Sequence, residues 1–352
     1  MEKKTSILKS SDTSDNSKLN EKEFVVFSSE VTKQIEKARI RAISSEDRKW
    51  LDVVSSIPKT VKLIRESDAE VVSRCENIWQ EICTDGLDLV YNQLLGKAIE
   101  HNRTGKVRPI IFYGPPSGGK STLCQLYAKF LASSYYVVDT PSLDTGSGIS
   151  GYNRSYQSAG PGVIVDAMIR TNSGNPLIVF EEIDKAMNNP NYQSVQSCLL
   201  SLLDHNSKNF TDNYISHPIN TELCKFAFSA NDIDNVSEPL KSRCELIHIP
   251  QASAERVCAI VLNHAKSEFE RLGITKEVAL KSEDIVYLVK HLYNDNNCKD
   301  IRKHKGAISK IIIDALIKSI KGNKRVVVSR KDIMASANAE TEDKKITMGF
   351  LS

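Results

Sequence analysis

Residues 109–122 read PIIFYGPPSGGKST, and this stretch decides the fold. The apolar run 109–113 predicts a buried strand, and Gly114 to Ser121 fit the pattern G-x-x-x-x-G-K-[ST] between that strand and a predicted helix. Average residue usage gives such a match by chance in roughly one chain of this length in a hundred. We therefore predict a loop whose backbone N–H groups cradle phosphates.

The residue types of this loop suit the phosphates of ATP. Glycines let the backbone wrap so that successive amides face the phosphates, and the following helix adds its positive N-terminal end. Lys120 is expected to reach the β- and γ-phosphates, and Ser121 to bind Mg²⁺. The predicted ATP-binding residues of the loop are Gly114, Pro115, Pro116, Ser117, Gly118, Gly119, Lys120, Ser121 and Thr122.

The rest of the chain predicts an α/β fold, in which a parallel sheet is flanked by helices. Further short apolar runs at 135–138, 177–180 and 224–228 are separated by helical patterns, as buried parallel strands with crossover helices are. After Pro250 the apolar spacing is helical throughout. The predicted organisation is a disordered tail (1–22), a helical N-terminal segment (23–82), a nucleotide-binding domain (83–250), a small all-helical lid (251–333) and a C-terminal tail (334–352).

Acidic residues follow the strand predicted at 177–180. Because ligands bind at the carboxyl ends of strands in open α/β sheets, we assign Glu181 to the metal and Glu182 to the attacking water. Asp184 is interpreted as an acid at a helix N-terminus. Asn231 ends the next strand, where a neutral amide can orient water or touch the γ-phosphate.

Composition argues against several classes of protein, namely disulfide-rich, membrane-spanning and nucleic-acid-binding ones. The net charge is +3, and 40% hydrophobic with 26% charged residues are typical of a globular protein. The eight cysteines form no CxxC pair, which favours reduced thiols and a cytoplasmic location. The sequence contains no run of about 18 apolar residues, which a membrane-spanning helix would need. Basic residues cluster late, between 299 and 325, where a solvated helix face is favoured over a nucleic-acid surface.

From about Trp50 to Lys324, the chain resembles the ATPase module of Lon proteases, which belong to the AAA+ class. The segments that carry the resemblance are KWLDVVSSIP, DGLDLVYNQLL, GPPSGGKSTL, SGYNRSYQSAGPGVI, NPLIVFEEIDK, NFTDNYISHPIN, FSAND, EPLKSRCELIHI and DIRKHKGAISKI. The RSYxxxxPG and FTDNY segments are specific to Lon rather than to AAA+ proteins in general.

The resemblance implies roles that the residues alone do not give. It makes Asn231 the sensor, Arg243 the arginine finger that reaches a neighbouring subunit's ATP, and Arg302 the lid arginine. By default both arginines would be surface residues. Tyr156 resembles the pore-loop aromatic that grips an extended polypeptide, with an ordinary packed tyrosine as the alternative.

Two residues depart from the family pattern. Glu181 stands where the family usually has aspartate, which leaves the magnesium geometry open. Gln157 follows Tyr156 where an aliphatic residue is usual, which is expected to weaken the grip on substrate.

The resemblance implies an ATP hydrolase that forms a homohexameric ring and unfolds or remodels a protein substrate. No segment of the sequence matches the Ser-Lys peptidase domain, so we expect no peptide cleavage by this chain and a separate protease or effector as partner. The alternative is an ATP-dependent switch that recruits an effector with little threading. Translocation of nucleic acid is ranked last, because the Tyr156 loop offers no basic groove.

Overall fold

The computed structural model describes residues 22–41, 44–63, 65–80, 86–143, 145–156, 159–186, 194–203, 209–274, 282–294, 300–322 and 328. The tails predicted at 1–22 and 334–352 lie outside these ranges, apart from Lys22.

A five-stranded parallel sheet forms the centre of the protein. Its strands are β3 (Ile110–Tyr113), β4 (Tyr135–Asp139), β5 (Leu177–Glu181), β8 (Lys225–Ala230) and β9 (Glu245–His248), in the spatial order β4-β5-β8-β3-β9. All four predicted apolar runs are strands of this sheet, which confirms the predicted α/β fold. The fifth strand, β9, was missed because it is short and carries a charged residue and a histidine.

Helices cover both faces of the sheet, so its apolar residues serve two cores. Along β3, Ile111 packs into one hydrophobic cluster, while Ile110 and Phe112 pack into the other. This alternation is what a strand buried on both faces requires. The covering helices are α3 (Asp68–Gln80), α4 (Asp88–Thr104), α5 (Lys120–Phe130), α6 (Ser147–Ser150), α7 (Val163–Thr171), α8 (Val195–Leu203) and α9 (Glu238–Arg243).

The N-terminal segment is helical, with one strand pair that the sequence analysis missed. Helices α1 (Ser29–Arg41) and α2 (Ser45–Ser56) lie between β1 (Lys22–Val25) and β2 (Thr60–Leu63), which pair antiparallel. Four-residue strands give little periodic signal. A second short antiparallel pair, β6 (Phe210–Thr211) with β7 (Pro218–Ile219), precedes β8.

Helices follow the sheet, as predicted, and three of them lie within the described residues. They are α10 (Ala254–Arg271), α11 (Ser282–Asn294) and α12 (Ile301–Gly322), and they bury their own hydrophobic cluster, which includes Val257, Leu288 and Ile308. The domain boundaries at 82/83 and 250/251 stay predictions.

Candidate functional site

The loop from Gly114 to Ser121 joins the carboxyl end of β3 to the first turn of α5. A Cβ at Gly114 would lie 2.1 Å from the carbonyl oxygen of Ile249, so no larger residue fits there without movement. Ser117 and Gly119 have φ angles of +60° and +93°. These left-handed conformations wrap the backbone around the start of the helix.

Lys120 is held at the centre of this loop. Its buried ammonium donates hydrogen bonds to the carbonyl oxygens of Gly114 and Pro115 and to Oδ1 of Asn231, each at 2.8 Å. Burial lowers the pKa of Lys120, and the nearby carboxylates of Asp184 and Glu182 oppose that shift. The lysine therefore presents a poorly solvated positive charge, which an anion would stabilise.

The acidic residues emerge from the carboxyl end of β5, next to the loop. Glu181 is the last residue of the strand, and Glu182 has a left-handed backbone with φ +54°. The amide of Glu182 donates to Oγ of Ser229 at 3.1 Å, and its carboxylate accepts from Lys185 at 2.7 Å. An unfavourable backbone that is fixed by a neighbouring strand is typical of functional sites.

Asp184 connects the carboxyl ends of β5 and β8. It lies in a short 3₁₀ helix, and its Oδ2 accepts from the backbone amides of Asn231 and Asp232, each at 3.1 Å. Its side chain therefore does more than the helix-terminal role expected from sequence, because it fixes the backbone of Asn231.

A cavity of about 480 Å³ opens over these residues. Ten of the predicted residues line it: Pro116, Ser117, Gly119, Lys120, Ser121, Thr122, Glu181, Glu182, Asn231 and Arg302. The other three loop residues are hydrogen-bonded to residues that line the cavity. Gly114 and Pro115 accept from Lys120, and Gly118 accepts from Arg256.

Two helices after Pro250, α10 and α12, supply the opposite wall, which the sequence analysis largely missed. The wall residues that it did not assign to the site are Arg256, Ile260, Asn263, His264, Ser267, Ile301 and Lys305. Apolar spacing marked these helices as packed elements, but it gave no sign of which side chains face a ligand.

Two contacts attach these helices to the loop. Nη2 of the buried Arg256 donates to the carbonyl oxygen of Gly118 at 3.3 Å. Oγ of Ser117 donates to Oδ1 of Asp300, which also accepts from the amide of Arg302 at 2.9 Å. Partial burial raises the pKa of Asp300, but the bonds from Ser117 and Arg302 outweigh it and leave the pKa below its ordinary value.

Arg243 lies at the opposite edge of the sheet. It ends α9 just before β9, and its carbonyl oxygen accepts from Arg108, which precedes β3. Since β3 and β9 run parallel, the length of β3, about 13 Å, separates this arginine from the phosphate loop. Arg243 is too far away to serve the cavity of its own chain.

Tyr156 also lies apart from the cavity, in the segment between α6 and α7. Its side chain is 65% exposed, so it is not a packed core tyrosine. Gln157 lies outside the described residues.

The cavity fits a nucleotide with a magnesium ion. Its volume lies in the range of small-molecule sites, roughly 300–1,000 Å³. A buried ammonium, left-handed loop residues and a helix N-terminus suit phosphates. Ser121 and Glu181 both line the cavity, and a hydroxyl and a carboxylate are oxygen ligands of the kind that Mg²⁺ prefers.

None of the helices in the described part of the chain is both long enough and apolar enough to cross a lipid bilayer.

Comparisons with known proteins agree with the site. Residues 110–250 match the family described as "ATPase family associated with various cellular activities (AAA)". The mitochondrial Lon protease homolog of Mus musculus is 28% identical over 288 residues, which cover 80% of this chain and 29% of that protein. The mitochondrial Lon protease homolog of Eremothecium gossypii is 31% identical over 241 residues, which cover 67% of this chain and 22% of that protein. The chain thus spans less than a third of the length of these relatives.

Among solved structures, a point mutant of RuvB from Thermotoga maritima matches with a TM-score of 0.50 and 16% identity, over 72% of this chain and 70% of that chain. At that identity the likeness concerns the fold alone. The sequence match, the parallel sheet and the lysine-centred loop together identify residues 110–250 as an AAA ATPase domain, in a chain that is similar to the Lon proteases.

Proposed function

We propose that this chain couples ATP hydrolysis to the unfolding or remodelling of a protein substrate, as one subunit of a homohexameric ring. The observation that carries the proposal is the pairing of two features: a cavity in which Lys120, Glu182 and Asn231 meet, and an exposed Tyr156 on a separate loop.

Different residues of the cavity would contact the phosphates, the metal and the attacking water. Lys120 would neutralise the β- and γ-phosphates, and Ser121 and Glu181 would hold the metal. Magnesium, when bound, supplies charge neutralisation for the phosphate oxygens. Glu182 would accept a proton from the attacking water, because this residue lines the cavity and its backbone is fixed by Ser229.

Asn231 and Arg302 would complete the site from two sides. Asn231 accepts a hydrogen bond from the ammonium of Lys120 and would orient the attacking water from that position. Arg302 faces the cavity from the second residue of α12, so nucleotide would contact both the sheet and the helices beyond Pro250. Closure of those helices against the loop would then depend on the nucleotide.

The position of Arg243 supports the proposed ring. An arginine at the amino-terminal edge of the sheet cannot stabilise phosphates bound at the carboxyl-terminal edge of the same sheet. We assign it to the site of an adjacent subunit, where it would act as an arginine finger.

Tyr156 would supply the contact with substrate. An exposed aromatic ring on a loop that contains serines and is flanked by glycines offers apolar contact without sequence preference, which suits varied extended polypeptides. The proposed partners are such a protein substrate and a separate protease or effector that receives it.

We also propose a reducing compartment, such as the cytoplasm. The six cysteines in the described ranges are free, and five of them are buried. Burial raises the pKa of the Cys75 thiol to about 11, which makes it unreactive at neutral pH.

The experiment is a measurement of ATP turnover with and without an unfolded polypeptide. We expect acceleration in the wild type and none in Tyr156→Ala. Tyr156→Phe is the matched control: it keeps the ring and should keep the acceleration. If added polypeptide leaves the rate of ATP turnover unchanged in all three proteins, threading is rejected and a nucleotide switch is favoured.

A further inference from the structure

The segment that carries Tyr156 starts and ends at the same place. The amide of Tyr152 donates to the carbonyl oxygen of Gly160 at 3.0 Å. A Cβ at Gly162 would lie 2.0 Å from the carbonyl oxygen of Ile149 and 2.6 Å from the amide nitrogen of Gly151. The two ends of this loop, residues 151–162, therefore contact each other through their backbones.

The carboxylate of Asp212 lies at this closed base. Asp212 is fully buried, and its Oδ2 accepts from the amide of Gly162 at 2.7 Å. Its Oδ1 accepts from the amides of Tyr214 and Ile215 at 2.8 and 3.0 Å. At the other end of the loop, a Cβ on Gly151 would lie 2.6 Å from Oδ1.

The residue after Asp212 binds the near end of the loop. The amide of Asn213 donates to the carbonyl oxygen of Ser150 at 2.7 Å, and its Nδ2 donates to that of Gly151 at 3.1 Å. Residues 212 and 213 thus hold both ends of the loop, through bonds to backbone atoms that a change of loop side chains would not remove.

A third contact comes from the N-terminal segment. The guanidinium of Arg154, within the loop, lies 4.9 Å from the ring centroid of Trp50 on α2. Nε1 of Trp50 donates to the carbonyl oxygen of Ile215 at 3.2 Å. The loop is therefore tied to the 212–215 segment directly and also through Trp50.

A buried carboxylate costs free energy unless hydrogen bonds compensate it. Burial raises the pKa of Asp212, and the amides of Gly162, Ile215 and Tyr214 oppose that shift. One of the three bonds that compensate the charge, the one from the amide of Gly162, also fixes the end of the loop.

We propose that Asp212 is a positioning residue of the Tyr156 loop: it holds the base closed and so fixes the direction in which Tyr156 meets the polypeptide. This inference rests on the proposed function of Tyr156. It also gives the FTDNY segment, residues 210–214, a role that the site chemistry leaves unexplained.

The test uses Asp212→Asn in the full chain. An asparagine retains one oxygen for the amides of Tyr214 and Ile215 but turns an NH₂ group toward the amide of Gly162. Asp166→Asn is the matched control, because the Asp166 carboxylate accepts from Tyr136 and Arg170 and does not bind the loop.

The first readout is hydrogen–deuterium exchange of peptides that cover residues 152–162, and it does not depend on any substrate. We expect about tenfold faster exchange in Asp212→Asn and no change in Asp166→Asn. Unchanged exchange in Asp212→Asn would overturn the proposal.

The second readout separates positioning from general stability. Basal ATP turnover should stay within about twofold of the wild type, while the polypeptide concentration for half-maximal acceleration should rise about tenfold. A matching loss of basal turnover would show a merely structural role and overturn the proposal. If the wild type shows no acceleration, the proposed function fails, and the exchange readout still decides whether Asp212 holds the loop.

A second variant covers the case in which Asp212→Asn does not fold. Asn213→Ala removes an exposed side chain and its bond to Gly151. It should speed exchange of the same peptides by a smaller factor, and a loop as protected as in the wild type would count against the proposal.

Discussion

The ammonium of Lys120 donates a hydrogen bond to Oδ1 of Asn231 at 2.8 Å, across 111 positions of sequence. Asn231 follows β8, and its own amide donates to Asp184 beyond β5. Lys120, Asn231 and the acidic segment are therefore joined along the carboxyl edge of three neighbouring strands.

Asn231→Ala should leave ATP bound but reduce turnover about a hundredfold, because the amide that orients water is lost while the charge of Lys120 remains. Isothermal titration and steady-state turnover measure the two effects. Lys120→Ala is the reference, and it should abolish binding. Loss of binding in Asn231→Ala would contradict the sensor assignment.

Glu182→Gln should bind ATP with wild-type affinity and hydrolyse it at least about a hundredfold more slowly, since the amide keeps the shape and cannot accept a proton. Single-turnover measurements with radiolabelled ATP give the rate. The companion variant Glu181→Gln should instead weaken the binding of magnesium, so that turnover needs a higher magnesium concentration. The reverse pattern would show that the two acids have exchanged roles.

Mixing two inactive variants tests whether the site is shared between subunits. Arg243→Ala cannot complete a neighbour's site, and Glu182→Gln cannot hydrolyse its own ATP. A mixed ring places some intact acids opposite intact arginines, so partial turnover should return. Turnover that scales linearly with concentration, together with a monomeric mass in ATP, would contradict the shared site.

Acid should destabilise the protein partly through His101. Burial first, and then the charges of Lys225 and Arg74, lower the pKa of His101 from 6.5 to about 3. Below pH 6.5 the unfolded chain binds a proton at His101 that the folded chain does not. The folded state therefore keeps its full stability with respect to His101 above pH 6.5, and loses free energy of unfolding as the pH falls toward 3.

We expect His101→Gln to flatten the fall in unfolding free energy between about pH 6.5 and 4 by at most about 1.4 kcal/mol per pH unit. Urea unfolding at stepped pH values measures it. His248→Gln, at an exposed histidine, is the control. Identical pH profiles for the wild type and His101→Gln would contradict the assignment.

The sequence predicted the strands and the phosphate loop, because these features depend on local residue patterns. Buried strands such as β3 and β5 are short apolar runs, and the phosphate loop is a contiguous motif, so their positions follow from residue types alone. Strand β9 was missed because Glu245 and His248 interrupt its apolar pattern.

The contacts that depend on tertiary folding could not be predicted. Arg256 reaches Gly118 across 138 positions, and Ser117 reaches Asp300 across 183. No periodicity or motif marks such a pair, because the partners meet only after the helices pack onto the sheet. Asp212 was likewise part of a recognised segment whose physical purpose only the folded loop reveals.

The central claim, that ATP hydrolysis drives polypeptide through the ring, is tested most directly with a folded fluorescent protein that carries an unstructured tail. We predict that its fluorescence falls when the wild type hydrolyses ATP, and stays constant with Tyr156→Ala or Glu182→Gln. Undiminished fluorescence while the wild type consumes ATP would contradict the account.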